Sequence, residues 1–338
     1  MEKTVTTIEI TQPYVLFVGD VTNEVYVKTA LGIVQWRPEL CIGQYRLTGG
    51  AVDLGLKDMS PAEAVQAGAR TMIVGVANVG GAFAQSWIAA LHEAAANGLD
   101  IVAGMHGRLA DLPGLADAAS AAGARLIDVR IPPENLPVGT GKKRTGRRLL
   151  TVGTDCAVGK KYTALAIERE MRSRGMKATF RASGQTGILI AGEGIPIDAV
   201  VADFVAGAAE ILSPDNEADH WDVIEGQGSI FHPGYAGVSL SLLLGSQPDA
   251  IVLCHDASRT VMELWENYPI RDLQVIIDTY LQMGALTNPK IRCCGVSVNT
   301  SKLDPAEREQ YLQDISARLG VPCVDPLVDG VGAIVDLL

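Results

Sequence analysis

Along the first part of the chain, short apolar runs punctuated by glycine alternate with alanine-rich segments of helical spacing. Residues 14–18 (YVLFV), 72–76 (MIVGV) and 101–104 (IVAG) read as strands, and residues 62–68 and 86–97 read as helices. The first of these helices opens on SPAE at 60–63, the spacing of a capping box with Pro61 in the first helical position. Strand and helix in alternation predict a parallel sheet wrapped by helices. Such sheets present ligands at the carboxyl ends of their strands. Glycine clusters fall at those ends: Gly49 with Gly50, Val79 with Gly80 and Gly81, and Gly104 with Gly107 around His106. No GxGxxG with a downstream acid is present, so the layout is Rossmann-like without a dinucleotide fingerprint.

The alternation resumes after ENLPVGTGKKRTGRR at 134–148, a basic segment with the Pro and Gly of a linker or exposed loop. It divides the chain into a Rossmann-like α/β domain over 1–140 and a second α/β domain over 141–338. Its five cations directly precede an apolar run at 149–152, which makes them candidates for electrostatic attraction of phosphate as well as for a solvated linker. Further strands are predicted at 177–181, 249–256, 291–299 and 321–325, with a surface helix over 305–319 whose apolar positions stand among charges. Residues 222–225 (DVIE) form an apolar run ending in an acid and followed by glycines.

A chain of 338 residues suits two such domains, and 48 % hydrophobic against 20 % charged residues gives each a sizeable interior. The net charge of −11 argues against nonspecific binding to nucleic acid or to an anionic membrane. The first residues lack the regions of a signal peptide and no apolar run reaches the roughly 18 residues of a membrane span, so a cytoplasmic location is expected. Six cysteines lie scattered with no CxxC, and no histidine pair has metal-ligand spacing; free thiols and no metal are expected.

The chemistry concentrates after the 149–152 strand, where GTDCAVGKKYT occupies 153–163 ahead of a helical run over 164–174. Strand, glycine-bounded loop and helix is the context in which backbone N–H groups and a helix N-terminus hold phosphate. Gly153, Thr154, Asp155, Cys156, Ala157, Val158, Gly159, Lys160, Lys161, Tyr162 and Thr163 are therefore the candidate phosphate-binding residues. Two departures from the P-loop pattern stand out. Thr154 occupies the position of the first glycine, and Lys161 stands where Ser or Thr would ligate magnesium. A second lysine favours a phosphate bound without the metal, as on coenzyme A, although Thr163 offers a hydroxyl slightly further along. Cys156, near a helix N-terminus, is placed where a thiolate would be stabilised, though loop packing explains it equally well. Glu225 holds the position of a Walker-B carboxylate.

GTDCAVGK at 153–160 together with EGQG at 225–228 resembles the motif pair of the dethiobiotin synthetase branch of P-loop proteins. YRLTGG at 45–50, GQTG at 184–187, the stretch 198–203 and EGQGSIFHP at 225–233 extend a closer resemblance over nearly the whole chain. That resemblance is to a two-domain family, long catalogued as of unknown function, which contains the D-glutamate N-acetyltransferases. It implies transfer of the acetyl group of acetyl-CoA to the amino group of a D-amino acid, most directly D-glutamate. It also implies a Rossmann-like N-terminal and a P-loop C-terminal domain, and a dehydrogenase as functional partner in D-amino-acid breakdown. A homo-oligomer is expected. Acetyl transfer from a thioester needs no ATP hydrolysis, and an ammonium must lose a proton before it attacks. Glu225, His232 and Asp155 are the candidate bases, in that order; Gln185 and Thr186 are candidate oxyanion donors, and Arg181 and Arg259 candidate clamps for substrate carboxylates. The alternatives are an ATP-dependent ligase or kinase of the dethiobiotin synthetase type and a nucleotide-sensing module.

Overall fold

The computed structural model describes residues 7–76 and 82–338. Val79, Gly80 and Gly81 lie outside the described residues. The chain divides into two compact units, one of Thr7–Pro132 with Gln185–Pro196, the other of Pro133–Gly184 with Ile197–Leu338.

In the first unit five parallel strands lie in the spatial order Cys41–Arg46, Tyr14–Gly19, Thr71–Val74, Asp100–Ala103 and Leu126–Asp128. All six residues of Tyr14–Gly19 are buried, as a strand covered on both faces requires. Ser60 caps helix Pro61–Gln66 through the box read from the sequence: its side chain accepts from the Glu63 amide while Glu63 reaches back to the Ser60 N–H. Helix Gln185–Ala191, from the later part of the chain, belongs to this unit. Its Ile188, Leu189 and Ile190 are buried, and Ile190 lies close to Gly32 on helix Lys28–Trp36.

The second unit carries a six-stranded sheet in the order Cys323–Val324, Arg292–Asn299, Ala250–Asp256, Arg147–Gly153, Trp221–Ile224 and Ala178–Arg181, with every pairing parallel. The strand ahead of the P-loop is thus central, and the strand ahead of Glu225 is its immediate neighbour. Helix Pro305–Leu319 opens on Asp304, whose carboxylate accepts from the Ala306 and Glu307 amides. A short antiparallel hairpin, Val261–Met262 with Trp265–Pro269, follows the Ala250–Asp256 strand.

The basic segment is exposed over residues 137–143, as a solvated linker would be, but two of its five cations are buried. Arg148 is fully buried, and its guanidinium donates to the carbonyls of Thr145, Ser213 and Pro214 at 2.8–3.2 Å. Arg144 is 8 % exposed and donates to the Gly245 carbonyl at 2.8 Å. Arg147 and Arg148 begin the seven-residue strand whose far end carries the P-loop, which puts roughly 20 Å between them and the loop at about 3.3 Å per residue. Among the described residues no helix is long and apolar enough to cross a membrane.

Candidate active site

Strand Arg147–Gly153 delivers its last residue into the loop 154–159, and helix Lys160–Ser173 begins at its end with Gly159 as N-cap at φ +95°. Only glycine adopts that backbone without strain, so the second glycine of the motif is a conformational requirement. Thr154 and Asp155 are fully buried, Lys160 is 7 % exposed, and the Lys160 ammonium donates to the Asp155 carbonyl at 2.7 Å. Burial pushes the Lys160 ammonium below its ordinary value, which a bound phosphate would reverse. The Gly153 carbonyl accepts from Tyr280 at 3.1 Å, fixing the start of the loop against helix Leu273–Gly284.

Asp155 organises the loop. One carboxylate oxygen accepts from the Cys156 amide at 2.6 Å; the other accepts from Arg259 at 2.9 Å and from the Glu263 amide at 2.8 Å. Arg259 also donates to the Cys156 carbonyl at 2.7 Å and to Glu263 at 3.1 Å. With its charge and donors taken up by loop and hairpin, Arg259 braces the P-loop and does not present a free carboxylate clamp. Arg181 is likewise engaged, its Nε donating at 2.7 Å to the buried Asp222 on the adjacent strand.

His232 comes to the same place. Its ring lies 4.6 Å from that of Tyr235 and 4.5 Å from that of Trp265, and it is 1 % exposed. The Gly234 N–H donates to Nδ1 at 3.1 Å, which puts the proton of the neutral ring on Nε2, 3.9 Å from the Asp155 carboxylate. Donor atoms of Asp155, Cys156 and His232 lie within 4.8 Å of one another. The tautomer leaves no imidazole lone pair facing the cluster, so it suits neither a metal nor proton abstraction through His232. Cys156 also departs from expectation. Burial raises its thiol above the ordinary value, outweighing the opposing pull of Lys160 and Arg259.

Glu225 is different in kind. It follows the Trp221–Ile224 strand beside the P-loop strand and is 5 % exposed. Its Oε2 accepts the backbone N–H of both Ser183 and Gly184 at 3.0 Å, and Oε1 has no hydrogen-bond partner among the described residues. Burial, against the partial opposition of Lys161 and the two amides, raises this carboxyl to about 7. Gly226 lets the next step of chain pass the P-loop strand: a Cβ there would stand 1.7 Å from the Thr151 carbonyl. The Gly226 amide donates to the Thr151 hydroxyl at 3.0 Å.

The structure therefore brings the P-loop, Glu225, His232 and Arg259 into one unit; Gln185 and Thr186 belong to the other. Sequence reasoning missed Ser183 as a donor to Glu225, and missed Glu263 and Trp265, because a backbone amide and a hairpin of exposed residues leave no pattern. The polar glycine loop at 182–187 was the available signal for the first.

A Rossmann-like unit and a unit with a P-loop beside a buried carboxylate define a two-domain P-loop protein. The chain belongs to the DUF1611 family: residues 45–132 match the description "Domain of unknown function (DUF1611_N) Rossmann-like domain" and residues 137–335 match "Domain of unknown function (DUF1611_C) P-loop domain". A D-glutamate N-acetyltransferase of Tritonibacter scottomollicae is 48 % identical over 97 % of this chain and 99 % of its own length. A second, of a Pseudoalteromonas species, is 46 % identical over 97 % of this chain and 98 % of its own. The crystal structure of a DUF1611 family protein from Anabaena variabilis superposes with a TM-score of 0.79 at 29 % identity, covering 97 % of this chain and 99 % of that one.

Proposed function

We propose that the protein is a D-glutamate N-acetyltransferase that uses acetyl-CoA as donor and Glu225 as general base. The two relatives of that name, similar over nearly the full chain, support the reaction class. The observation that carries the mechanism is the asymmetry of Glu225: one oxygen is held by two amides, and the other has no hydrogen-bond partner among the described residues in a buried setting. A carboxyl raised to about 7 accepts and returns a proton near neutral pH, as general-base work demands.

The step runs as follows. Glu225 takes one proton from the substrate ammonium, and the free amine attacks the thioester carbonyl carbon. The C–N bond forms and the C–S bond breaks, the second amine proton passes to the departing sulfur, and Glu225 returns its proton to solvent. Nothing in this sequence draws on nucleotide hydrolysis, which separates it from the ligase or kinase reading. The P-loop amides and Lys160 hold a phosphate of the carrier. In this reading the product enters D-amino-acid breakdown beside a dehydrogenase.

The test is incubation of the purified protein with acetyl-CoA, or separately with MgATP, across a panel of D- and L-amino acids, following free thiol and ADP. Thiol release that depends on D-glutamate is expected. ADP release, or equal rates with every amino acid, contradicts the proposal.

A further inference from the structure

In a metal-dependent P-loop, a hydroxyl directly after the lysine and a carboxylate on the neighbouring strand together hold magnesium against the phosphates. Here Lys161 occupies the hydroxyl's position, half-buried in the first turn of helix Lys160–Ser173, with its ammonium 4.4 Å from the centre of the Tyr162 ring. The nearby hydroxyls are already in use. Thr163 is fully buried, donates to the Gly159 carbonyl at 3.1 Å, meets the Ser297 hydroxyl at 2.7 Å and receives the Cys254 thiol at 3.5 Å. Thr154 pairs with Nδ1 of His255 at 3.2 Å, and Thr151 bridges the Ile224 carbonyl and the Gly226 amide. The strand-end carboxylate Glu225 has one oxygen taken by two backbone amides. What remains of the magnesium-binding pair is one carboxylate oxygen, with a lysine in the sequence position of the hydroxyl.

We propose that Lys161 is the resident cation of this P-loop, replacing the magnesium ion, so that the site takes the phosphate of a carrier such as coenzyme A without any metal. Lys161 then has two roles that a divalent ion plays elsewhere. It neutralises bound phosphate, and it balances the carboxylate at the adjacent strand end. The electrostatics agree: Glu225 is the charge that holds the Lys161 ammonium up against the lowering effect of burial, and Lys161 is the leading opposing influence on Glu225. The proposal specifies how the site of the proposed acetyltransferase binds its donor and rests on that reading only for the identity of the carrier.

Titration calorimetry of the full chain with coenzyme A and with inorganic pyrophosphate, in EDTA and in magnesium, tests it. The wild-type protein should bind in EDTA with an affinity that magnesium leaves unchanged within about threefold. K161T should lose roughly 10- to 100-fold in EDTA, the size of a charge-assisted contact, and recover part of it in magnesium, while K161R should stay near wild type. Thermal melts of each variant separate a binding loss from a folding loss. Pyrophosphate binding in this pattern without coenzyme A binding upholds the proposal and removes the acetyl-CoA reading. Wild-type binding that requires magnesium, or a well-folded K161T that binds in EDTA as tightly as wild type, overturns it.

Discussion

Glu225 and Ser183 are joined by a backbone N–H to carboxylate hydrogen bond of 3.0 Å, and the amide of Gly184 repeats it on the same oxygen. These two donors stabilise the charged carboxylate, yet burial wins and the folded-state group titrates near 7, above its ordinary 4.5. Between those values the folded protein binds the extra proton, so stability is present below about 4.5 and is lost as pH rises through about 7. Replacing Glu225→Gln keeps an acceptor for both amides and removes the titration. The melting temperature of E225Q relative to wild type should therefore climb between pH 5 and pH 8, by the equivalent of roughly 2–4 kcal/mol. A difference that stays constant over that range contradicts the buried carboxylate described above.

Lys160 gives up solvent to sit 2.7 Å from the Asp155 carbonyl. Lys160→Ala should weaken coenzyme A by about 1.5–3 kcal/mol, the range of a charge-assisted hydrogen bond. The same substitution should leave the fold unharmed or slightly more stable, since it removes a buried ammonium. Calorimetry with circular dichroism as the control reads both; unchanged affinity in a folded variant assigns the loop a purely structural part.

Gly226 leaves no space for a side chain. Gly226→Ala places a carbon 1.7 Å from the Thr151 carbonyl, so the P-loop strand and the Glu225 strand end must move apart. The expected loss is at least about 1–3 kcal/mol in thermal stability, with a drop in acetyl transfer from whatever protein remains folded. Wild-type stability and rate in this variant would mean that the two strands are not held as closely as the structure has them.

Asp155 ties the P-loop to the hairpin through Arg259 and the Glu263 amide. Asp155→Asn should speed hydrogen exchange at the Glu263 amide and weaken coenzyme A binding, while the pH dependence set by Glu225 stays where it is. Exchange at Glu263 that does not change shows that the brace adds nothing to the order of the hairpin.

Much of this frame was legible in the chain. Apolar runs ending at glycine became the parallel strands, and the box at Ser60 marked a helix start within a residue, because those signals are local. The P-loop and Glu225 were legible for the same reason, each being a short motif at a strand end. The hairpin at 261–269 was not, since Glu266, Asn267, Tyr268 and Pro269 are exposed and show no alternation. Helix Ala236–Ser246 was also missed: it buries Ser239, Gly245 and Ser246 beside Leu242 and Leu243, so polarity does not track burial along it. Arg148 reads as a surface charge in a basic run, and the carbonyls contributed by residues 213 and 214, far away in sequence, help make its burial tolerable. The assignment of helix Gln185–Ala191 to the first unit has the same origin, a tertiary choice with no local mark.

The proposed role of Glu225 as the base for acetyl transfer to D-glutamate is tested most directly by the pH dependence of kcat/KM for that reaction. Wild type should show a limb that rises with pH through about 7, as Glu225 loses its proton. In E225Q the limb should disappear and the rate at pH 8 should fall by roughly 10²- to 10⁴-fold, the usual weight of a general base. An E225Q enzyme that keeps the limb and the rate, or a wild-type protein that acetylates no D-glutamate at any pH, contradicts the account.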